Sequence, residues 1–240
     1  MRLIRAEWYR MVHSKIQWGI TVALLLLSFW MLDSKRMAHV GGQEILLLLW
    51  QNPLPLMWSG VMLAVGGFGS SFQERCWNGG IYKGQRRMCL LLSRAFFYYI
   101  WGLLIQAVAM AIIFTKYQVW GQMLGLGIEF LFPRMLFHSL FGIALLTPPL
   151  LFSFLFRDVF VSMTVSSGLT FLIQNMLGRE GEGFLPELME HFYPAARMLK
   201  LHFWMALETR AIQEAFLLCL GYLVIGLLVS VVMFWQGELK

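Results

Sequence analysis

Charge is what this chain has least of. Only 13% of its 240 residues are Asp, Glu, Lys or Arg, about half the share of an average soluble domain. Cysteine is scarce as well. The three present include no CxxC pair, so neither a disulfide framework nor zinc-ligand spacing can be read. Cys76 and Cys89 fall in a polar stretch and Cys219 in an apolar one, and reduced structural thiols are expected. Neither HExxH nor GxSxG occurs, and in "ELMEH" Glu187 stands where an inverted zinc-protease motif needs its first His. No apolar run carries a central row of carboxylates, which speaks against an ion-driven pump.

What is there is oil. Hydrophobic residues make up 59% of the chain and aromatics 15%, and mean hydropathy is +0.66. This composition predicts an all-α membrane protein. About 20 apolar residues cross a bilayer as a helix. On that measure six spans are expected, at about 16–32, 53–71, 95–115, 135–156, 159–177 and 215–235, within a single transmembrane domain over 1–240. The second is trimmed by Asn52, Pro53 and Pro55, and the fourth contains Pro148–Pro149.

Orientation follows from Lys and Arg near the span ends. Arg2, Arg5, Arg10, Lys15, Arg75, Lys83, Arg86, Arg87, Arg94, Arg157 and Lys240 fall on one side, eleven of the 19. The remaining eight include four in the acid-rich loop at 178–214. The first side is assigned to the cytoplasm, with both termini there. The net charge of +6 is then a topology signal and gives no ground for nucleic-acid binding.

No small-x-small site follows Leu32, so the basic N-terminus does not read as a cleaved signal. Residues 1–15 read instead as an amphipathic helix lying in the headgroup plane. Ile4, Trp8, Met11 and Val12 share one face, and Arg2, Arg5, Arg10 and His13 lie largely off it.

The most basic stretch is "FQERCWNGGIYKGQRRMCLLLSR", Phe72–Arg94. Gly79 and Gly84 have the spacing of a phosphate loop, but Gln85-Arg86 stand where Lys and Ser or Thr are required. The segment therefore does not hold ATP by that mechanism. His138 lies alone in the fourth apolar run, where hydrogen bonding to a neighbouring helix is the ordinary role. Arg157 and Asp158 read as a surface pair. Gly60, Ala64, Gly67 and Gly69 are small residues that let a helix approach another closely.

Five features then occur in order. "MRLIRAEWYRMVHSK" precedes the first span. Small residues close the second and lead into "FQERCWNGG", an F-x-x-E-x-x-x-G element. "LLLSR" at Leu90–Arg94 leads into the third. "HFYPAARMLKLHFW" lies in the long loop before the sixth, and "WQGELK" follows the sixth. Together they resemble the permease subunit of a type-2 ABC transporter, in the branch of lantibiotic and bacteriocin immunity permeases and multidrug exporters. One position departs: where that family often has Lys about seven residues after Ser-Arg, this chain has Trp101.

The resemblance implies an exporter permease in a bacterial cell membrane, without an ATPase site of its own. Two copies of a separate ABC ATPase would bind ATP and Mg, and a second permease, identical or homologous, would complete the complex. Phe72–Arg94 would be the coupling loop: Glu74 and Arg94 would frame it, Gly79, Gly80 and Gly84 would allow its turns, and Arg86 and Arg87 would meet an acidic groove edge. Gly60 and Ala64 are expected to pack the permease pair, and 178–214 to cap the external exit. The substrate would be an amphipathic compound or peptide. A non-transport membrane scaffold or assembly factor, or less readily a membrane enzyme, remains the alternative on the residues alone.

Overall fold

The computed structural model describes residues 2–31, 54–64, 66–67, 87–116, 118, 120–125, 128–177, 193–194 and 209–236. Among these every regular element is helical: α1 (Arg2–His13), α2 (Lys15–Met31), α3 (Leu54–Ala64), α4 (Arg87–Lys116), α5 (Trp120–Gly125), α6 (Ile128–Phe156), α7 (Val159–Leu177) and α8 (Thr209–Gln236).

Local chemistry explains several boundaries. Arg10 and His13 occupy the last turn of α1, where cations suit the helix dipole. Ser14 breaks the helix, and its Oγ accepts the Gln17 N–H at 3.3 Å, capping α2. Pro55 sits in the first turn of α3, where a missing N–H costs no helical bond. Arg157 closes α6 in the left-handed region at φ 53°. Its N–H returns to the Ser153 carbonyl at 3.2 Å. One residue on, the Asp158 carboxylate accepts the Val161 N–H at 2.9 Å and starts α7. Arg157 also donates from its guanidinium to the Met233 carbonyl near the end of α8, at 2.7 Å. The two residues read as a surface pair each serve a helix end.

Helix α6 is the hub, packing on α3, α4, α7 and α8. It stays helical through Pro148–Pro149, although neither proline can donate to the carbonyls of Ala144 and Leu145. Neighbouring hydroxyls hold this stretch. Tyr98 Oη lies 2.8 Å from the Leu146 carbonyl and 3.1 Å from that of Gly60 on α3. Tyr99 Oη meets Thr147 Oγ1 at 3.1 Å, and Ser153 Oγ donates to the Pro149 carbonyl at 3.0 Å. The two tyrosine hydroxyls tie the proline stretch of α6 to α3 and α4.

Among the described residues three helices are long and apolar enough to cross a membrane: Met88–Lys116, Met135–Phe156 and Gln213–Trp235. The third, fourth and sixth expected spans fall within them. Where the first and fifth are expected, the described apolar stretches are the shorter Lys15–Leu26 and Val159–Ile173. The second corresponds to the 11 residues of α3. Two boundaries move. The loop expected to reach Arg94 ends earlier, because α4 begins at Arg87. Leu90, Leu91, Arg94, Ala95, Phe97 and Tyr98 are all buried, and that helical spacing gives "LLLSR" a packed face. The loop drawn to 214 likewise yields to α8 at Thr209.

Tyr98 and Tyr99 stand level with Leu146 and Thr147 on the antiparallel α6. The start of α4 and the α6–α7 turn therefore share one end of the bundle. The end of α8 joins them, through Arg157 and through the Phe154–Phe234 ring contact at 5.9 Å.

Candidate functional site

The base of α4 is where charge is drawn inside. Arg94 is 6% exposed and Glu7, on α1, 5%. Arg94 Nε donates to Glu7 Oε1 at 3.2 Å, and Arg10 Nε to Oε2 at 3.0 Å. One carboxylate thus receives two guanidinium groups, one from its own helix and one from a residue 87 positions away. Buried charge is retained only when paired in this way.

Apolar contacts extend the joint. Met11, one turn after Glu7, enters the core cluster with Leu90, Leu91 and Ala95. Trp8 lies against Phe97 with ring centres 5.9 Å apart. Beyond the Ser14 break, Trp18 Nε1 donates back to the Val12 carbonyl at 2.7 Å and so holds the elbow between α1 and α2. The same indole meets Trp101 edge to face at 5.5 Å. Trp101 Nε1 donates to Thr21 Oγ1 at 3.0 Å, and Thr21 donates to the Gln17 carbonyl at 2.8 Å. The position where the resembled family often has Lys thus carries a buried indole that fastens α2 to α4.

The sequence-predicted residues separate here. Arg94 is central, but its partner is α1 and it stands within a helix. Arg87 is the first residue of α4. Glu74, Gly79, Gly80, Gly84 and Arg86 lie outside the described residues. Gly60 and Ala64 are buried inside the chain. A Cβ on Gly60 would meet Leu146 Cδ2 at 3.2 Å and Pro149 at 3.4 Å. The face expected to receive a second permease is occupied by α6 of the same chain, because small residues on α3 let Leu146 and Pro149 come close. The apolar face read on α1 divides: Met11 is buried, while Ile4 and Trp8 stay about half exposed.

Glu7 was not among the residues that patterns singled out. A signal existed: it is the only carboxylate before Asp33, set among Arg2, Arg5 and Arg10. Tyr98 and Tyr99 had none, since tyrosine in an apolar run does not announce which carbonyl it will reach.

A second feature lies between α6 and α7. Leu145, Pro148, Pro149, Phe152, Ser166, Leu169, Thr170 and Tyr193 line a cavity of about 10 Å³. That is room for one water molecule, far below a drug-sized ligand site. Among the described residues, Ser166 Oγ is buried there without a hydrogen-bond partner. At the base of α4 the described residues bring together a paired charge and a row of indoles joining α1 and α2 to α4.

No family model, curated protein or solved structure matches this chain.

Proposed function

We propose that this chain is the permease subunit of a type-2 ABC exporter in a bacterial cell membrane. It has six spans and cytoplasmic termini, and it moves an amphipathic compound or peptide while separate ATPase subunits hydrolyse ATP. The observation that carries the reading is the Glu7–Arg94 contact. It joins the basic helix ahead of the first span to the base of α4, the segment that follows the glycine-bearing loop. A displacement of that loop by a closing ATPase pair would reach α4 and α1 together, biasing one of two membrane conformations.

The division of labour follows from the loop itself. Gln85-Arg86 cannot do the work of the Lys and hydroxyl of a phosphate loop, so ATP and Mg belong to the partner. Glu74, Gly79, Gly80 and Gly84 shape the loop, and Arg86 and Arg87 face the ATPase groove. Arg94 acts one step inward, as the tie to α1. The grouping of the N-terminal helix, the start of α4, the α6–α7 turn and the end of α8 at one end of the bundle supports a common cytoplasmic side for these Arg-bearing segments.

The test is co-purification with an ABC ATPase from native membranes, with transport measured beside it. Replacing Gly79 and Gly80 by Val leaves charge and insertion unchanged but strains any positive-φ turn. The double variant is expected to lose ATPase binding or ATP-driven transport. Full transport with normal ATPase binding would return the loop to an ordinary charged turn. Labelling of a cysteine at Gln85 by an impermeant reagent from outside would overturn the topology.

A further inference from the structure

We propose that the outer side of α1, continuing onto the start of α2, is a docking surface for an anionic bilayer, with acidic phospholipid headgroups as its ligand. The inference rests on α1, α2 and the Arg94 contact that turns Glu7 inward, and it stands or falls separately from the transport reading.

The first observation is where the negative charge has gone. Residues 1–32 contain one carboxylate, Glu7. It is turned inward, 5% exposed, with Arg94 and Arg10 on its two oxygens. The charges that the described side chains of α1 and the first turn of α2 present outward are therefore all positive. Arg5 and Lys15 are exposed, and Arg10 keeps 40% of its side chain accessible while it holds Glu7.

The second observation is what lies between those cations. Ile4, Trp8, Tyr9, Ile16 and Trp18 are 52%, 46%, 64%, 53% and 48% exposed. Half-exposed indole and phenol rings beside a cationic rim match the layer where hydrocarbon meets headgroups. The apolar part alone would suit many partners. The one-signed charge selects a surface that is both apolar beneath and anionic above.

The Glu7–Arg94 pair thus acts twice. It seats α1 on α4, and it removes the one group that would repel an acidic headgroup.

The full-length chain, reconstituted in nanodiscs of phosphatidylcholine alone or mixed with phosphatidylglycerol, provides the test. Hydrogen exchange of the α1 amides is the readout. Exchange is expected to be slower in the anionic discs, and raised salt should erase the difference by screening. Each Lys or Arg near an anionic surface strengthens attachment roughly fivefold. Arg5→Gln with Lys15→Gln should therefore remove roughly 25-fold of the protection, whereas Arg5→Lys with Lys15→Arg should keep it. That charge-keeping variant separates loss of attraction from loss of folding. Equal exchange in the two discs overturns the proposal, as does an unchanged Gln variant. So does protection that appears only when a soluble protein partner is added.

Discussion

Helices α6 and α8 invert the rule of water-soluble cores. Of the three membrane-length windows, Gln213–Trp235 in α8 is the most apolar and Met135–Phe156 in α6 the least. Yet 17% of the α8 window is buried within the chain, against 56% of the α6 window. In water the most apolar segment would go inside. In hydrocarbon nothing is gained by hiding a Leu from lipid, and association rests on close packing and on polar groups that need partners. Helix α6 offers both: Thr147, Ser153, the Pro148–Pro149 pair and a seat for Leu146 between helices. Helix α8 offers Ser230 and Gly226 on one side, and on the other the exposed Leu217, Leu220, Val224, Leu228 and Val232. The charged joint at the base of α4 belongs with α6: polar, enclosed and expensive to disturb.

Four tests probe that contrast, in falling order of expected effect. The largest is at the base of α4. Arg94→Ala leaves Glu7 buried without its cross-helix partner, and loss of one member of such a pair costs about 3–5 kcal/mol. Unfolding of the purified protein in detergent reads this directly. A cost under about 1 kcal/mol would mean that the joint is open to water. Glu7→Gln combined with Arg94→Met should recover much of the loss, because no charge is then left inside.

Next is the contact between the two helices compared. A Cβ at Gly226 would collide with Thr147 Cγ2 on α6. Gly226→Leu forces a side chain into that contact and should cost about 1–3 kcal/mol. Gly221, whose Cβ would meet open space, is the control on the same helix, and Gly221→Leu should stay well below that cost. Equal costs at the two positions would show that α8 is held all round and not along one stripe.

Tyr98→Phe tests the polar interior of α6. It removes the hydroxyl shared by the Leu146 and Gly60 carbonyls. Interhelical hydrogen bonds in membranes average about 0.6 kcal/mol, so a loss of about 0.5–1.5 kcal/mol is expected. Raised amide exchange around Leu146 would locate it.

The smallest effect belongs to the outer stripe of α8. Leu228→Ile and Val224→Leu should change stability by less than about 0.5 kcal/mol in the isolated chain. A larger change that appears only in the assembled complex would identify that stripe as the seat of a second permease. This would sharpen the comparison, since α8 would then be exposed in the chain and covered in the complex.

Much of the helical layout was legible because apolar length is a one-dimensional property. Ala95–Thr115, Met135–Phe156 and Ala215–Trp235 can be counted off without knowing any neighbour, whereas the amphipathic helix reads straight through Ser14, where α1 breaks. The start of α4 was less so. "RMCLLLSR" reads as the end of a basic loop until Met11 and Glu7 supply the surface against which Leu90, Leu91 and Arg94 pack. The small residues Gly60 and Ala64 announced a close approach, but not to what, because spacing carries no information on which helix arrives.

From sequence alone came the class of the protein, an apolar helical chain short of charge, and the basic helix at its start, since composition and periodicity are local. Tertiary structure alone decided that Glu7 and Arg94 meet across 87 positions, that Trp101 fastens α2, that α6 lies at the centre and that the most apolar of the three membrane-length windows lies outside. Each of those outcomes depends on a partner distant in the chain. In a low-dielectric interior the cost of an unpaired polar group selects that partner, whereas hydropathy is shared by every helix and singles out none.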